Sequence, residues 1–595
     1  MTASPLFASR QFGPQLDSKG VTFRLWAPGA QSVDLVTTAT QPMHRSDDGW
    51  YELRIPGAGA GTRYRFRIDD KLNVPDPASA FQPQDVHDPS EVIDNTYDWT
   101  AVDWRGRPWR ETVLLEIHVG TFTPEGTFRA VIDRLDDVVA EGFTAIELMP
   151  VADFFGRRNW GYDGVLLYAP DSTYGRPEDL KALVDEAHRR GLMVFLDVVY
   201  NHFGPEGNYL GLYAPTFFTD KVATPWGPAI DYSVPEVRTF AIENALHWVA
   251  DYRFDGLRLD AVHAILQRGT PSILEDISRS VGAFAEANDR LIHLVLENDD
   301  NEASLLDPTA PASRGLYRAQ WNDDYHHMWH VLLTGETRSY YRDYAEAPRR
   351  HIVRALGSGF VYQGEPSKHR KGGTRGEPSG HLPTTAFVSF LQNHDQVGNR
   401  ARGERLDRLA NDPRGIEAAL AVTLLAPMPP MLFMGEEWGS DQPFPFFCDF
   451  PGDLGEAVRQ GRRREFREQY IAGDNIDDIP DPLAEETFRS AVLDWAARNE
   501  PKHKRRLDLV KDLLATRKAH IMPRLSDAPK PGTAACDGTV LTAAWELEGG
   551  RLLLLANLSA EPTRWTAEFS GEPLWGGPAP EQLAPWAVHW AWDAR

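Results

Sequence analysis

Four short segments each bring an acidic side chain to the end of an apolar, β-branched-rich run. They are Asp197-Val-Val-Tyr-Asn-His202, Gly256-Leu-Arg-Leu-Asp-Ala-Val-His263, Leu294-Val-Leu-Glu-Asn298 and Phe390-Leu-Gln-Asn-His-Asp395. Carboxyl groups delivered in this way by several parallel strands converge on one mouth. The chemistry open to such a set is displacement at the anomeric carbon of a sugar. A retaining glycosidase needs one carboxylate as nucleophile and a second carboxyl group as acid, held roughly 5 Å apart.

Asp260 stands two residues after Arg258, so in a strand both side chains leave on one face. An adjacent guanidinium favours the ionised carboxylate a nucleophile must be. A purely structural Arg–Asp pair at a strand end would read the same way. Glu297 ends the apolar run Leu291-Ile-His-Leu-Val-Leu296. Such surroundings raise a carboxyl pKa and keep the group protonated for donation to a leaving oxygen; a solvated strand cap is the plain alternative. Asp395, preceded by His394, could bind sugar hydroxyls and help distort the ring. Asp197, Asn201 and His202 could orient the same ring or merely cap a turn, and Asn201 could instead ligate a cation. In Trp160-Gly-Tyr-Asp163, Tyr162 offers a ring face and Asp163 a hydrogen-bond acceptor. No cluster with transition-metal spacing accompanies these residues, so neither an essential metal nor a cofactor is expected.

The elements that must hold these side chains follow from periodicity. The first hundred residues alternate in short strands, as in Val21-Thr-Phe-Arg-Leu-Trp26 and Arg63-Tyr-Arg-Phe-Arg-Ile68, and predict a β-sandwich with a linker over 1–100. From about residue 113, strands alternate with helical patterns. Strands are expected over 113–118, 145–149, 193–198, 254–259, 292–296, 316–321, 386–391 and 431–434. Amphipathic segments lie between most of them, at 178–190, 237–251 and 416–425 for example. Eight such units predict an α/β fold, a (β/α)8 TIM barrel over 101–525 with its active site at the strand C-termini. Loop insertions are expected at 203–233, 363–380 and 440–500, and a helix at 505–518 should close the barrel. Alternation resumes after residue 540 and predicts a small C-terminal antiparallel β domain over 526–595.

Bulk properties narrow the setting. With 595 residues, 42% hydrophobic and 25% charged, the chain has ample core for several domains. Its net charge of −24 argues against nucleic acid or an anionic membrane as partner. The 18 Trp and 18 Tyr supply flat faces, most of them for core and some for sugar rings. Two cysteines make neither a disulfide framework nor a zinc cluster. No signal peptide and no apolar run of membrane-spanning length is apparent, so a cytoplasmic location is expected.

Taken together, the four segments resemble the signature regions of the α-amylase family of retaining glycoside hydrolases (family 13), in order, on the third, fourth, fifth and seventh strands. The resemblance implies Asp260 as nucleophile, Glu297 as general acid/base and Asp395 as transition-state stabiliser. It implies Arg258, His202, Asp197 and His394 as supporting residues and Tyr162 as a stacking platform, with Asp163 and His263 completing the substrate-binding candidates. The N-terminal Val21-Thr-Phe-Arg-Leu-Trp-Ala-Pro28 looks like the sandwich of branching, debranching and trehalose-releasing members. Segments 75–83, 86–90, 116–126, 322–327, 331–336, 360–365 and 433–437 look like the trehalose-releasing branch. That branch implies maltooligosyltrehalose as substrate, cleavage of the α-1,4 bond next to its terminal trehalose unit, and functional coupling to a maltooligosyltrehalose synthase. Specificity would come from residues receiving the kinked α,α-1,1 unit; Trp226, in Thr224-Pro-Trp-Gly-Pro228, and the loop with Phe360 and Tyr362 are the candidates. A glycogen branching enzyme of the same family is the nearest rival, and a non-catalytic carbohydrate-binding barrel a more distant one.

Overall fold

The structure is a computed structural model that describes the chain except residues 1–9, 225, 266–271, 308, 310–316, 470–478, 527 and 529. Two antiparallel sheets face each other at the N-terminal end. One orders Gln15–Asp17, Gly20–Trp26, Trp50–Pro56 and His44–Arg45; the other orders Thr40–Pro42, Val33–Val36, Arg63–Ile68 and Leu72–Val74. Alternation decides what faces inward: Val21, Phe23, Leu25, Tyr64 and Phe66 are buried, while Thr22, Arg63, Arg65 and Arg67 point away from the core.

Eight parallel strands then form one sheet: β1 (Leu114–Ile117), β2 (Ala145–Leu148), β3 (Met193–Val198), β4 (Gly256–Leu259), β5 (His293–Leu296), β6 (Ala319–Trp321), β7 (Phe387–Val388) and β8 (Met431–Phe433). They pair in the order 7-6-5-4-3-2-1-8, and a parallel bridge between Ser389 and Pro430 joins strand seven to strand eight. This is the expected barrel. Every expected strand is present, several shorter than the apolar run that signalled them. The seventh is reduced to two residues, entered from a 3-10 turn over Thr384–Ala386 and followed by the single bridge at Ser389. Residue 316, at the start of the expected sixth strand, lies outside the described residues.

Strands buried on both faces read as continuous apolar runs, and here each is buried along its length. The two-residue period still separates their side chains. Leu114, Ala145, Met193, Phe195, Val295, Ala319, Trp321, Val388, Phe390 and Met431 pack inside the barrel. Leu115, Ile146, Val194, Leu196, Leu257, Leu259 and Leu296 pack outward against the helices. Two residues further along the inner rows come Glu116, Glu147, Asp197 and Glu297. On strand four Arg258 and Asp260 share the inner face, because Leu257 and Leu259 occupy the outer one.

The outer helices are built for that arrangement. Pro177–Arg189 starts with proline at its first position, and the Asp179 carboxylate accepts the Arg176 N–H at 2.9 Å. Leu180, Leu183, Val184 and Ala187 form its buried stripe. At the C-terminal end a five-stranded antiparallel sheet orders Thr533–Asp537, Val540–Leu547, Gly550–Asn557, Val588–Ala594 and Glu572–Trp575. Cys448 and Cys536 are free thiols.

Candidate active site

Arg258 is the centre of the strand C-termini. It is fully buried, its guanidinium lies 4.2 Å from the Trp321 ring centroid, and it touches three carboxyl groups. Nη1 donates to Asp197 Oδ2 and to Asp260 Oδ1, each at 2.7 Å, and Nη2 lies 3.6 Å from Glu297 Oε2. Parallel register sets the first pair, because Asp197 and Arg258 are cross-strand neighbours. Asp197 Oδ2 also accepts from the Tyr162 hydroxyl at 2.5 Å. Burial pushes Asp197 up to about 7 despite the Arg258 charge beside it, and the negative charge of Asp260 adds to the rise.

Both oxygens of Asp260 accept hydrogen bonds, Oδ1 from Arg258 and Oδ2 from the Asn201 amide at 3.0 Å. Asn201 turns its own oxygen to His202 Nδ1 at 2.6 Å, so its amide links two side chains of the site. Ala261, the next residue, takes a left-handed conformation with φ of 40°. That turn aims its N–H at Glu297 Oε2, 2.5 Å away. A non-glycine residue there costs of order 1 kcal/mol or more, and such strain collects at working sites. Burial raises the pKa of Glu297; Arg258 opposes this, while Asp260 reinforces it. The backbone N–H of Asp299 donates to His263 Nδ1 at 3.3 Å, bringing that ring beside the turn after strand five.

On strand seven, Asn393 caps a short helix over His394–Gly398, its Oδ1 accepting from the N–H groups of Asp395 and Gln396. This cap fixes Asp395 at the mouth, where Asn399 donates to its Oδ1 at 3.1 Å. His394 is buried below, its ring stacked on Tyr162 at 5.1 Å. Its Nδ1 meets Glu116 Oε1 at 2.5 Å, and its backbone N–H donates to Glu116 Oε2 at 3.1 Å. Burial alone would lower His394, but the charges of Glu116 and Asp395 outweigh it and raise the imidazole to about 9.

The other sequence candidates divide. Trp226 sits in the turn of a hairpin formed by Phe218–Thr224 and Gly227–Ile230, within the long loop after strand three. Its ring is 45% exposed and lies over His202, with centroids 4.6 Å apart and planes at 9°. His202 itself bonds the Tyr162 carbonyl through Nε2 at 3.0 Å. Asp163 turns to Asn159, accepting from its amide at 2.7 Å, rather than to the group around Arg258.

Phe360 and Tyr362 do not present themselves to a ligand as expected. Phe360 is 0% exposed and packs edge-on against Phe387 of strand seven. Tyr362 is buried, and its hydroxyl donates to the Asp343 carbonyl at 3.1 Å. The physical reason is Asp324, whose Oδ2 accepts the N–H groups of Val361 and Tyr362 at 2.7 and 3.1 Å. The segment is the anchor of its loop. The basic hairpin beyond it is also tied to the mouth: Arg375 donates to Asp324 Oδ1 at 2.8 Å and Arg370 to Asp300 Oδ1 at 2.7 Å.

Three participants escaped the sequence reading. Glu116 and Glu147 lie inside strands one and two, and Asp323 begins the helix after strand six. Glu147 is buried with neither carboxyl oxygen bonded, and burial pushes its pKa well up, with Asp197 and Glu116 adding to the effect. An acidic residue inside a run buried on both faces was the signal available.

The site's relatives are recognisable. The profile of the α-amylase catalytic domain matches residues 87–211, and that of carbohydrate-binding module 48, the isoamylase N-terminal domain, matches 11–88. A malto-oligosyltrehalose trehalohydrolase of Deinococcus radiodurans is 42% identical over 564 residues, covering 92% of this chain and 89% of the relative. One from Saccharolobus solfataricus is 40% identical, covering 86% and 87%. A 1.4 Å crystal structure from Salmonella typhimurium that carries a provisional α-amylase name superposes with a TM-score of 0.93 at 44% identity, covering 98% of this chain and all of that one.

Proposed function

The chain belongs to the malto-oligosyltrehalose trehalohydrolases of the α-amylase family, and on that premise we propose the reaction and the residues that carry it. The substrate is maltooligosyltrehalose; the α-1,4-glucosidic bond next to its terminal trehalose unit is hydrolysed, giving trehalose and a maltooligosaccharide. A synthase that builds the terminal α,α-1,1 linkage would supply this substrate.

The observation that supports the assignment of roles is the buried Arg258 guanidinium, which meets Asp260 and Glu297 as well as Asp197. Asp260 accepts a hydrogen bond on each oxygen, the environment of an anion. Glu297 is raised by burial and has Oε2 occupied by the Ala261 N–H, so Oε1 is the oxygen to carry its proton. Asp260 attacks the anomeric carbon while Glu297 protonates the oxygen of departing trehalose. Glu297, now ionised, takes a proton from water, which opens the glycosyl–Asp260 ester and releases the oligosaccharide with its configuration retained. Asp395 and the charged His394 hold the ring as positive charge develops on it. Tyr162 lies beneath that ring.

The test is incubation with maltotriosyltrehalose and chromatography of the products, with Asp260→Asn as control. Free trehalose and maltotriose, absent with the variant, are expected. No trehalose, together with altered iodine staining of amylose, would replace this reading with a branching activity.

A further inference from the structure

The side chains given roles above come from the ends of strands two, three, four, five and seven. Strand six, between the acid on strand five and Asp395 on strand seven, contributes the Trp321 ring beside Arg258 and no side chain yet assigned to the substrate. An acid must stand beside the glycosidic oxygen, so the leaving sugar lies next to Glu297, and strand six is the neighbour of the strand that carries it. Strand six ends there in Trp321, Asn322 and Asp323. Trp321 supports Arg258, and the Asn322 amide is turned away to the Gly359 carbonyl at 3.1 Å.

Asp323 is the side chain left at the opening, partly exposed, at the first position of the helix Asp323–Thr334. Its Oδ1 accepts from Gln396 Nε2 at 3.2 Å, and Gln396 Oε1 accepts the Asn393 N–H at 3.0 Å. Asp323 is thereby fastened to the same turn that holds Asp395. On this side too, the segment Gly335–Tyr341, with Asn399 and Arg400, lines a cavity of about 340 Å³, wide enough for part of a sugar. Asn399 is the residue that donates to Asp395.

Resting on the reading above, we infer that Asp323 is a specificity-determining residue that hydrogen-bonds hydroxyl groups of the leaving trehalose unit. Among the described residues a buried salt bridge does not account for it, since its hydrogen-bonded neighbour there is the neutral amide of Gln396. Burial and the nearby carboxyl groups of Glu297 and Asp299 push its pKa well up. A protonated carboxyl group both donates and accepts, which suits a sugar hydroxyl that does the same. An asparagine in its place keeps both capacities; an alanine keeps neither.

The experiment compares wild type, Asp323→Asn and Asp323→Ala on two substrates that share the glycone. One is maltotriosyltrehalose; the other is p-nitrophenyl maltotrioside, whose leaving group carries no hydroxyls for Asp323 to bind. Inhibition by added trehalose is measured in parallel. Asp323→Ala is expected to lose tenfold or more in kcat/KM on maltotriosyltrehalose, to raise the inhibition constant of trehalose as much, and to lose at least fivefold less on the aryl substrate. Asp323→Asn should recover most of the loss. Equal losses on both substrates, or no loss on either, would overturn the inference. Failure of the wild-type protein to release trehalose would instead overturn the reading on which it rests.

Discussion

At the scale of single residues, the site is a stack of charges whose signs are set from below. Glu116 and His394 are each 1% exposed and form a buried ion pair beneath Asp395. Because the pKa of His394 is raised from 6.5 to about 9, the pair's stabilisation is complete below about pH 6.5 and is lost as pH rises through 9. Glu116→Gln should therefore destabilise the protein by about 3 kcal/mol at pH 7, the order seen when one partner of a buried pair is removed. The difference should shrink toward pH 10, measured by urea unfolding at the two pH values; a constant difference would mean that His394 is not the group involved. At the same scale, the ring of Trp226 covers His202 while nearly half of it stays open to solvent. Aromatic contacts of this kind are worth about 0.5–1.5 kcal/mol. Trp226→Ala should lower kcat/KM for trehalose release by roughly three- to tenfold, and unchanged kinetics would remove Trp226 from the site.

At the scale of elements, strands deliver the acids and turns aim them. The turn Trp160-Gly-Tyr-Asp163 has Gly161 at φ of 103°, where a Cβ would lie 2.0 Å from the Pro150 carbonyl oxygen. Only glycine fits, because an L side chain meets both the strain of that φ and the clash. The turn also places the Tyr162 hydroxyl on Asp197. Gly161→Ala should cost about 3 kcal/mol and shift Tyr162 away from Asp197, lowering both the thermal midpoint and kcat. Full activity in this variant would show that the ring's position is not critical. The strand positions were legible from apolar runs of four to six residues, and the alternation within them told which side chains shared a face. The identity of the exposed loop residues was less legible. Phe360 and Tyr362 read as aromatic faces on a mouth loop, and nothing local to them announces Asp324, whose carboxylate gathers their backbone.

At the scale of the molecule, the flanking sheets are packed onto the barrel through its helices. Arg10 pairs with Asp251 at 2.7 Å, and Glu243 accepts the N–H groups of Gln11 and Phe12 at 2.8 and 3.1 Å, all on the helix Pro235–Asp251. The C-terminal sheet is docked by tryptophans. Trp590 donates to the Ala421 carbonyl at 3.1 Å and Trp545 to that of Leu356 at 3.3 Å, their rings 5.8 Å apart. A contact built on fully buried tryptophans, as on the C-terminal side, couples neighbouring domains, unlike the polar contacts of freely moving ones. A chain ending at residue 525 would leave the helices Pro348–Ser358 and Pro413–Leu425 uncovered. It should aggregate or melt well below the full chain, whose calorimetric trace should show a single main transition. A separate early transition for the C-terminal sheet would contradict this. Among the described residues no helix is long and apolar enough to cross a membrane.

The sequence by itself determined the barrel and the acids at its strand ends. Both are local: a strand's period, an apolar run and the residue that stops it are written within a few positions. Which acids are charged, and by what, was decided only by closure of the barrel. Glu116 reaches His394 across 278 positions and Asp197 reaches Arg258 across 61. No short window of sequence holds both members of such pairs. Parallel register and the twist that closes eight strands bring them within hydrogen-bonding distance, and burial there makes each charge depend on its neighbour. Asp323 belongs with these. In sequence it is one acidic residue of an Asp-Asp pair; in the fold its twin Asp324 is buried under a loop, and Asp323 alone is left facing the mouth.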